Sequence, residues 1–279
     1  MGRMIAPPPL FDRSALERNR LRAARAPALF LHESVANELQ ERLVEVNRTF
    51  TSPAVVTAWP SIWSDRMPQA RIVKDAEVLD LKVGDHDLIV HFLALHWAND
   101  PVGQLVQCRH ALRPDGLLLA TLFGGQTLQE LRRCLAQAET EVTGGLSPRI
   151  APMGEIRDLG GLVQRAGLAL PVADGQTMTV SYATAFDLMR DLRAMGEGNA
   201  LSSRIRHSTR RTVLMRAAAL YAEAFGTKDG RVTATFDIVT LTGWAPAANQ
   251  PKPLRPGSAT KSLAEALNST ETPLDPKDN

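Results

Sequence analysis

The segment from residue 85 to residue 126 constrains the fold more than any other part of the chain. It begins with an apolar run at residues 88–95, too short for an independent helix and bounded by turn-forming residues, which favours a strand buried on both faces. Asp100 and Pro101 then have the chemistry of a helix start, an N-cap acceptor followed by proline at the first helical position. A turn leads into a second apolar strand at residues 117–123. A strand, a crossover helix and a strand predict a parallel sheet in an α/β protein.

The rest of the chain supplies elements of both kinds. Helical spacing of apolar residues predicts helices at residues 12–25, 31–46, 127–138, 156–163, 184–195, 208–225 and, as one short helix, 260–267. Apolar or alternating segments predict strands at residues 53–59, 71–74, 176–182 and 233–244, the last of them antiparallel to its neighbour. Thr127 and Glu130 have the spacing of a capping box at the start of a helix.

Composition bounds the class of protein. The chain has 279 residues, of which 44% are hydrophobic and 22% charged, as in ordinary soluble globular proteins. A net charge of +2 and an aromatic content of 5% do not favour nucleic-acid binding as the main function. Cys108 and Cys134 lie on predicted helices and have no metal-ligand spacing, so we interpret them as buried thiols. No apolar run approaches the ~20 residues of a transmembrane helix.

The first residues are rich in arginine, as targeting peptides are. Asp12 and Glu17 interrupt the basic run, which favours a segment of the mature protein and a cytoplasmic location. We expect N-terminal helices over residues 1–50, a main domain over residues 51–245 and a flexible tail over residues 246–279. Its Pro, Ser and Thr content predicts that tail.

Several stretches together resemble a known family. They read HDLIVHFLALHWANDP, LRPDGLLLATLFGGQTLQELR, SPRIAPMGEIRDLGGLVQRAG and SYATAFDLMRDLRAMGEGNA, with weaker matches at FDRSALERNRLRAARA and PGSATKSLAEAL. The chain is thereby similar to class I S-adenosylmethionine-dependent methyltransferases. The resemblance is strongest to the branch that holds the malonyl-acyl-carrier-protein methyltransferase of biotin synthesis and the arginine hydroxylase that assists assembly of respiratory complex I. It implies a Rossmann-like, mostly parallel sheet with a helical lobe inserted at residues 182–230.

The chain departs from this family where the cofactor should bind. The family's first strand runs into a glycine-rich loop whose backbone amides approach the cofactor, but here no glycine lies between Gly2 and Gly84. The interval at residues 60–70 is too short for helix, strand and helix, and its prolines argue against even one helix. The family's ribose-binding acid therefore has no counterpart. We predict a sheet truncated in its first half, with the rings of Trp59 and Trp63 in part of the volume of the adenosine.

The resemblance also implies site residues. As remnants of cofactor binding it marks Asp75, Ala76, His91 and Phe92; as a substrate or partner site it marks His96, Trp97, Tyr182, Met195 and Asn199. From the residues alone, an acid such as Asp75 is more often a solvated loop acid or helix cap, and a histidine such as His91 more often a hydrogen-bonded core histidine. No arrangement of catalytic side chains is legible, so no catalytic residue is assigned.

Three functions fit this sequence. The first is a methyltransferase-family protein that is degenerate at its cofactor site, a pseudoenzyme that binds a protein partner such as a complex I subunit. The second is an active methyltransferase or protein-arginine hydroxylase-like enzyme that binds S-adenosylmethionine in an altered way. The third is a protein with another nucleotide or acyl ligand in a reshaped cleft. The missing glycines favour the first function.

Overall fold

A computed structural model describes residues 8–250 together with Glu265. Its single sheet contains six strands: β1 (Pro53–Thr57), β2 (Arg71–Lys74), β3 (His86–Phe92), β4 (Leu112–Phe123), β5 (Ala169–Tyr182) and β6 (Val232–Trp244). The helices are α1 (Arg13–Ala23), α2 (Phe30–Glu45), α3 (Ser61–Ser64), α4 (Pro101–Ala111), α5 (Gln129–Thr143), α6 (Ile156–Arg165), α7 (Ala185–Ala194) and α8 (Arg211–Phe225), with a 3-10 turn at Leu95–Trp97.

The strand order is β2-β1-β3-β4-β6-β5. β2, β1, β3 and β4 pair in parallel, whereas β6 runs antiparallel to β4 and to β5. The predicted parallel unit and the antiparallel last strand are both confirmed. The sheet is truncated in its first half, as the short interval after the first strand predicted: in the described part of the chain β2 pairs directly with β1 and forms the edge of a six-stranded sheet.

Each face of the sheet carries its own apolar layer. Val55, Val90 and Leu119 point toward α2, α3, α5, α7 and α8, whereas Val56 and Ile89 point toward α4 and α6. This follows from the period of two in a strand, which sends neighbouring side chains to opposite faces. Burial on both faces explains why β1, β3 and β4 read as continuous apolar runs.

Several local predictions need correction. The central strand ends at Phe92 and not at residue 95, because Leu93 has a positive φ of 41° and the chain then forms the 3-10 turn. A short helix, α3, does form between the two prolines, since Pro60 can occupy a helix N-terminus without needing a hydrogen-bond donor. β5 begins at Ala169, seven residues before the predicted start at Gln176, and forms the sheet edge.

The capping box is wrong as well. Thr127 and Glu130 fasten α5 to β6: the Thr127 hydroxyl donates to the Asp237 carbonyl and accepts from the Asp237 N–H, while Glu130 accepts from the Thr235 N–H. Leu128, with φ 55°, precedes the helix without a side-chain cap. Tertiary contacts with β6 replace the local cap that the spacing suggested.

The chain divides into two compact units, Met1–Pro246 and Ala247–Asn279. The finer division at residues 50, 182 and 230 stays a prediction. The short helix predicted at residues 260–267 lies outside the described residues apart from Glu265, as does the predicted tail beyond residue 250. Within the described part of the chain, no helix is both long and apolar enough to cross a membrane.

Candidate functional site

The carboxyl ends of β1, β2 and β3 lie side by side, at the edge where parallel α/β sheets bind their ligands. Thr57 pairs with Lys74 on one side and with Phe92 on the other. The loops that follow these three strands therefore form one neighbourhood, where the family's cofactor is expected.

The loop after β1 does not offer a cofactor cradle. Four of its amides are already bonded inside the loop: Trp59 N–H donates to Thr57 Oγ1 at 3.0 Å, Ile62 N–H to the Trp59 carbonyl at 3.3 Å, and Trp63 and Ser64 N–H to the Pro60 carbonyl at 3.0 and 3.2 Å. Pro60 itself has no N–H. A cofactor held by loop amides would have to compete with each of these bonds, so the residues present do not fit S-adenosylmethionine in the manner of the family.

Both tryptophans of this loop are buried, yet they do not fill the neighbourhood. Trp63 is fully buried and packs edge-to-face on Phe92 with ring centroids 5.1 Å apart. Trp59 forms one wall of a cleft of about 930 Å³ that also reaches Asp75, Leu21 and Ile72. A space of ligand size therefore remains between α1 and the ends of β1 and β2.

Asp75 follows β2 directly and is a buried partner of two arginines. Arg20 Nη1 donates to Asp75 Oδ2 at 2.6 Å, and Arg13 Nη2 lies 3.1 Å from Oδ1 and donates to the Asp75 carbonyl at 2.8 Å. Burial alone would raise the pKa of Asp75, but the charges of Arg20 and Arg13 hold it below its usual value. The alternative of a solvated acid or helix cap is wrong, since the side chain is completely buried and no helix lies in the described residues between β2 and β3.

The other predicted cofactor residues are also engaged within the protein. His91 is fully buried, and its Nε2 lies 2.7 Å from Gln104 Oε1, while Gln104 Nε2 donates to the Ala76 carbonyl at 2.8 Å. Burial lowers the pKa of His91, which keeps the ring neutral. Phe92 packs on Trp63. The core-histidine interpretation of His91 therefore fits its geometry.

His96 and Trp97 converge on an acid that the sequence analysis did not single out. Trp97 Nε1 donates to Glu197 Oε2 at 2.7 Å, and His96 Nε2 lies 3.1 Å from the same oxygen. Burial acts to raise the pKa of Glu197, but His96 and the more distant Arg20 together lower it, so the carboxylate is ionised. The sequence did contain a signal for Glu197, because it lies between Met195 and Asn199, two residues that the resemblance assigned to the substrate or partner site.

The remaining predicted residues separate into two places. Asn199 donates to the Pro148 carbonyl at 2.9 Å and, with Trp97 and Glu197, lines a cavity of about 170 Å³. Tyr182 and Met195 are buried in the core instead. Burial raises the pKa of Tyr182 above its usual value. No cluster of three His, Cys, Asp or Glu side chains in residues 8–250 could hold a metal ion.

Comparisons with known proteins agree with this fold. The methyltransferase domain family matches residues 22–120. Over 231 residues the chain is 36% identical to the mitochondrial arginine-hydroxylase NDUFAF5 of Danio rerio, covering 83% of this chain and 71% of that protein. It is 33% identical to the human protein of that name over 286 residues, covering 92% and 83%. The chain therefore belongs to the methyltransferase superfamily and, within it, to the family of these arginine hydroxylases.

Two further similarities cover less of this chain than the human arginine-hydroxylase does. Malonyl-[acyl-carrier protein] O-methyltransferase of Laribacter hongkongensis is 34% identical over 188 residues, covering 67% of this chain and 61% of that protein. The solved YcgJ protein of Bacillus subtilis overlays with a TM-score of 0.47 at 8% identity, covering 76% of this chain and 99% of that one. The family implies S-adenosylmethionine as cofactor. The expected cytoplasmic location is contradicted by the relatives, whose names place them in mitochondria.

Proposed function

We propose that this chain is a methyltransferase-family binding protein, an assembly factor that holds a protein partner and does not transfer methyl groups. The loop after β1 carries the proposal, because four of its amides are bonded within the loop and its proline has no N–H to offer. The ion pairs of Asp75 add to it, since the acid that the resemblance places near the adenosine is already paired with Arg13 and Arg20.

Methyl transfer asks little of protein side chains. The sulfonium of S-adenosylmethionine already activates the methyl group, so such an enzyme mainly binds the cofactor and aligns it with the nucleophile. A protein that cannot grip the cofactor therefore lacks the catalyst itself. Loss of the cofactor-binding loop after β1 would therefore abolish methyl transfer, whereas loss of a single side chain would only weaken it.

The second half of the chain supports a binding role. α7, α8 and the loop around Glu197 fall within residues 182–230, for which the resemblance implies a lobe on the substrate side of the family. Relatives covering most of this chain are named as arginine-hydroxylase NDUFAF5, and the resemblance connects that branch with complex I assembly. A subunit of respiratory complex I is the partner that we propose.

Calorimetric titration with S-adenosylmethionine tests the loss of the cofactor. We expect binding no tighter than about millimolar, or ~4 kcal/mol, and no methyl transfer. Micromolar binding would overturn the proposal.

Complementation tests the assembly role. In a strain lacking the gene, complex I assembly should fail and should be restored by wild-type protein and by Glu197→Gln. Gln keeps an oxygen acceptor for Trp97 Nε1 but removes the buried charge, so the variant separates a scaffold from an acid-dependent catalyst. Full assembly without the gene, or lost rescue by a folded Glu197→Gln protein, would contradict the silent assembly factor.

One observation favours a second candidate. The cleft of about 930 Å³ between α1 and β2 is large enough for a nucleotide-sized ligand, and it adjoins the sheet edge where the family binds its cofactor. An active methyltransferase or a protein-arginine hydroxylase-like enzyme with an altered cofactor mode would use this cleft. If calorimetry shows cofactor binding, the variant Ile72→Trp tests where the cofactor binds, because Ile72 lines the cleft. Loss of binding in this variant would identify the cleft as the cofactor site.

A further inference from the structure

A third concave surface lies between α1 and α7, and none of the described residues that line it belongs to a strand. It has a volume of about 430 Å³, and the residues that line it include Arg22 from α1 and Arg190 and Arg193 from α7. Asn19 and Asn199 contribute amides, and small residues complete the walls. Among the residues that the structure describes, no Asp or Glu lines it, so the charged groups that they present there are all cationic.

The three arginine side chains differ in their hydrogen-bond and ion-pair partners. Arg190 forms an ion pair with Asp187 at 2.6 Å, on the exposed side of α7. Arg22 donates to Asn19 Oδ1 and to the Arg18 carbonyl, both of which are neutral acceptors. The side chain of Arg193 has no hydrogen-bond or ion-pair partner among residues 8–250, although its backbone carbonyl accepts from the Gly196 N–H. Two of the three guanidinium charges are therefore not compensated by an acid.

Helix ends explain part of this arrangement. Arg22 and Arg193 lie in the last turns of their helices, where a cation is favoured by the helix dipole. That preference accounts for one arginine on each helix, but not for their meeting in one concavity that lacks an acid. The walls are fixed to each other, since Asn19 Nδ2 donates to the Gly198 carbonyl at 2.9 Å and Ala28 N–H to the Ala194 carbonyl at 3.2 Å.

We propose that this α1–α7 cleft binds an acidic segment of the protein partner. The inference rests on the proposed function and names the chemistry of the partner. Guanidinium groups bind carboxylates through paired hydrogen bonds, and several of them spread over one concavity suit several carboxylates of one segment. None of the described lining residues is aromatic, whereas single-stranded nucleic acids are held largely by stacking on aromatic rings.

Fluorescence anisotropy with labelled poly-glutamate tests the cleft. The double variant Arg22→Ser/Arg193→Ser should weaken binding at least tenfold, and wild-type binding should fall as salt is raised, because screening weakens contacts between exposed charges. The matched control is Arg157→Ser/Arg165→Ser, which removes two exposed charges from α6. It changes the net charge by the same amount as the cleft variant and should still bind poly-glutamate much like the wild type. Circular dichroism verifies that both variants fold.

The outcomes separate clearly. Equal weakening in the two double variants would show attraction by net charge alone and would overturn the proposal, as would no binding at low salt. Tighter binding of poly-uridylate with the same arginine dependence would assign the cleft to nucleic acid. Tight S-adenosylmethionine binding would refute the silent function while leaving the poly-glutamate result intact, so the two proposals fail independently. Rescue of complex I assembly should be lost in the Arg22/Arg193 variant and kept in the α6 control.

Discussion

Replacing Asp75 by Asn tests whether this acid is a structural ion pair or a remaining cofactor ligand. The carboxylate is completely buried, and it bonds Arg20 at 2.6 Å and lies 3.1 Å from Arg13. Removing one partner of a buried ion pair typically costs about 3–5 kcal/mol, because the other charge stays buried without compensation. The two arginine side chains are 14% and 21% exposed, so water offsets part of this loss. We expect a cost near the lower end, about 3 kcal/mol.

Urea unfolding followed by tryptophan fluorescence measures this cost. A loss of that size should also lower the Tm by roughly 6–12 °C, since 1 kcal/mol corresponds to a few degrees in a domain of this size. Asp80→Asn is the matched control, because Asp80 pairs with Arg71 at 2.6 Å but is 88% exposed and should matter little.

The pH dependence provides a second check. The pKa of folded Asp75 is depressed by the arginines, so its stabilisation is present above the unfolded pKa of about 4 and is lost as pH falls through the folded value. Wild type and Asp75→Asn should therefore differ fully at pH 7, begin to converge below about pH 4 and become alike only below the folded pKa. If Asp75→Asn behaves like Asp80→Asn, the ion pairs do not anchor α1, and Asp75 becomes available to a ligand.

Two further substitutions probe the same region. Burial lowers the pKa of His32 from 6.5 to about 4, so the unfolded chain binds a proton first on acidification. The free energy of unfolding should therefore decline as the pH falls from about 6.5 to about 4. His32→Phe should flatten that part of the profile of urea midpoints, and an unchanged slope would contradict this origin. Gly196 has a φ of 81°, and an added Cβ would lie 3.0 Å from Arg20 Cγ. Gly196→Ala should therefore cost more than Gly230→Ala, which has a φ of 75° and open space; equal midpoints would exclude crowding against α1.

The sequence predicted the order and type of most elements because local signals agreed with the fold. The apolar strands β1, β3 and β4, the helix start at Asp100 and the antiparallel β6 were all readable from periodicity, caps and length. The missing strand was also predicted, since chain length alone limits what can lie between residues 60 and 70. The prediction failed where a local pattern was overruled, as with the capping box whose Thr127 and Glu130 bind β6 instead.

The candidate site was only partly predictable. The sequence marked His96 and Trp97, but not the acid they share, because Glu197 is about a hundred residues away and no local pattern joins them. Asp75 was marked as a possible ligand, but its two arginines lie on α1, more than fifty residues earlier.

The sequence by itself therefore determined the sheet, most of its helices and the absence of a glycine-rich loop, because these depend on spacing and residue type along the chain. Only the tertiary structure decided which charges meet. Burial of Asp75 between Arg13 and Arg20, and the meeting of Arg22 and Arg193 in one concavity, depend on how α1 packs against β2 and α7. Charge pairing and desolvation act over a few ångströms in space, whereas sequence patterns report neighbours along the chain.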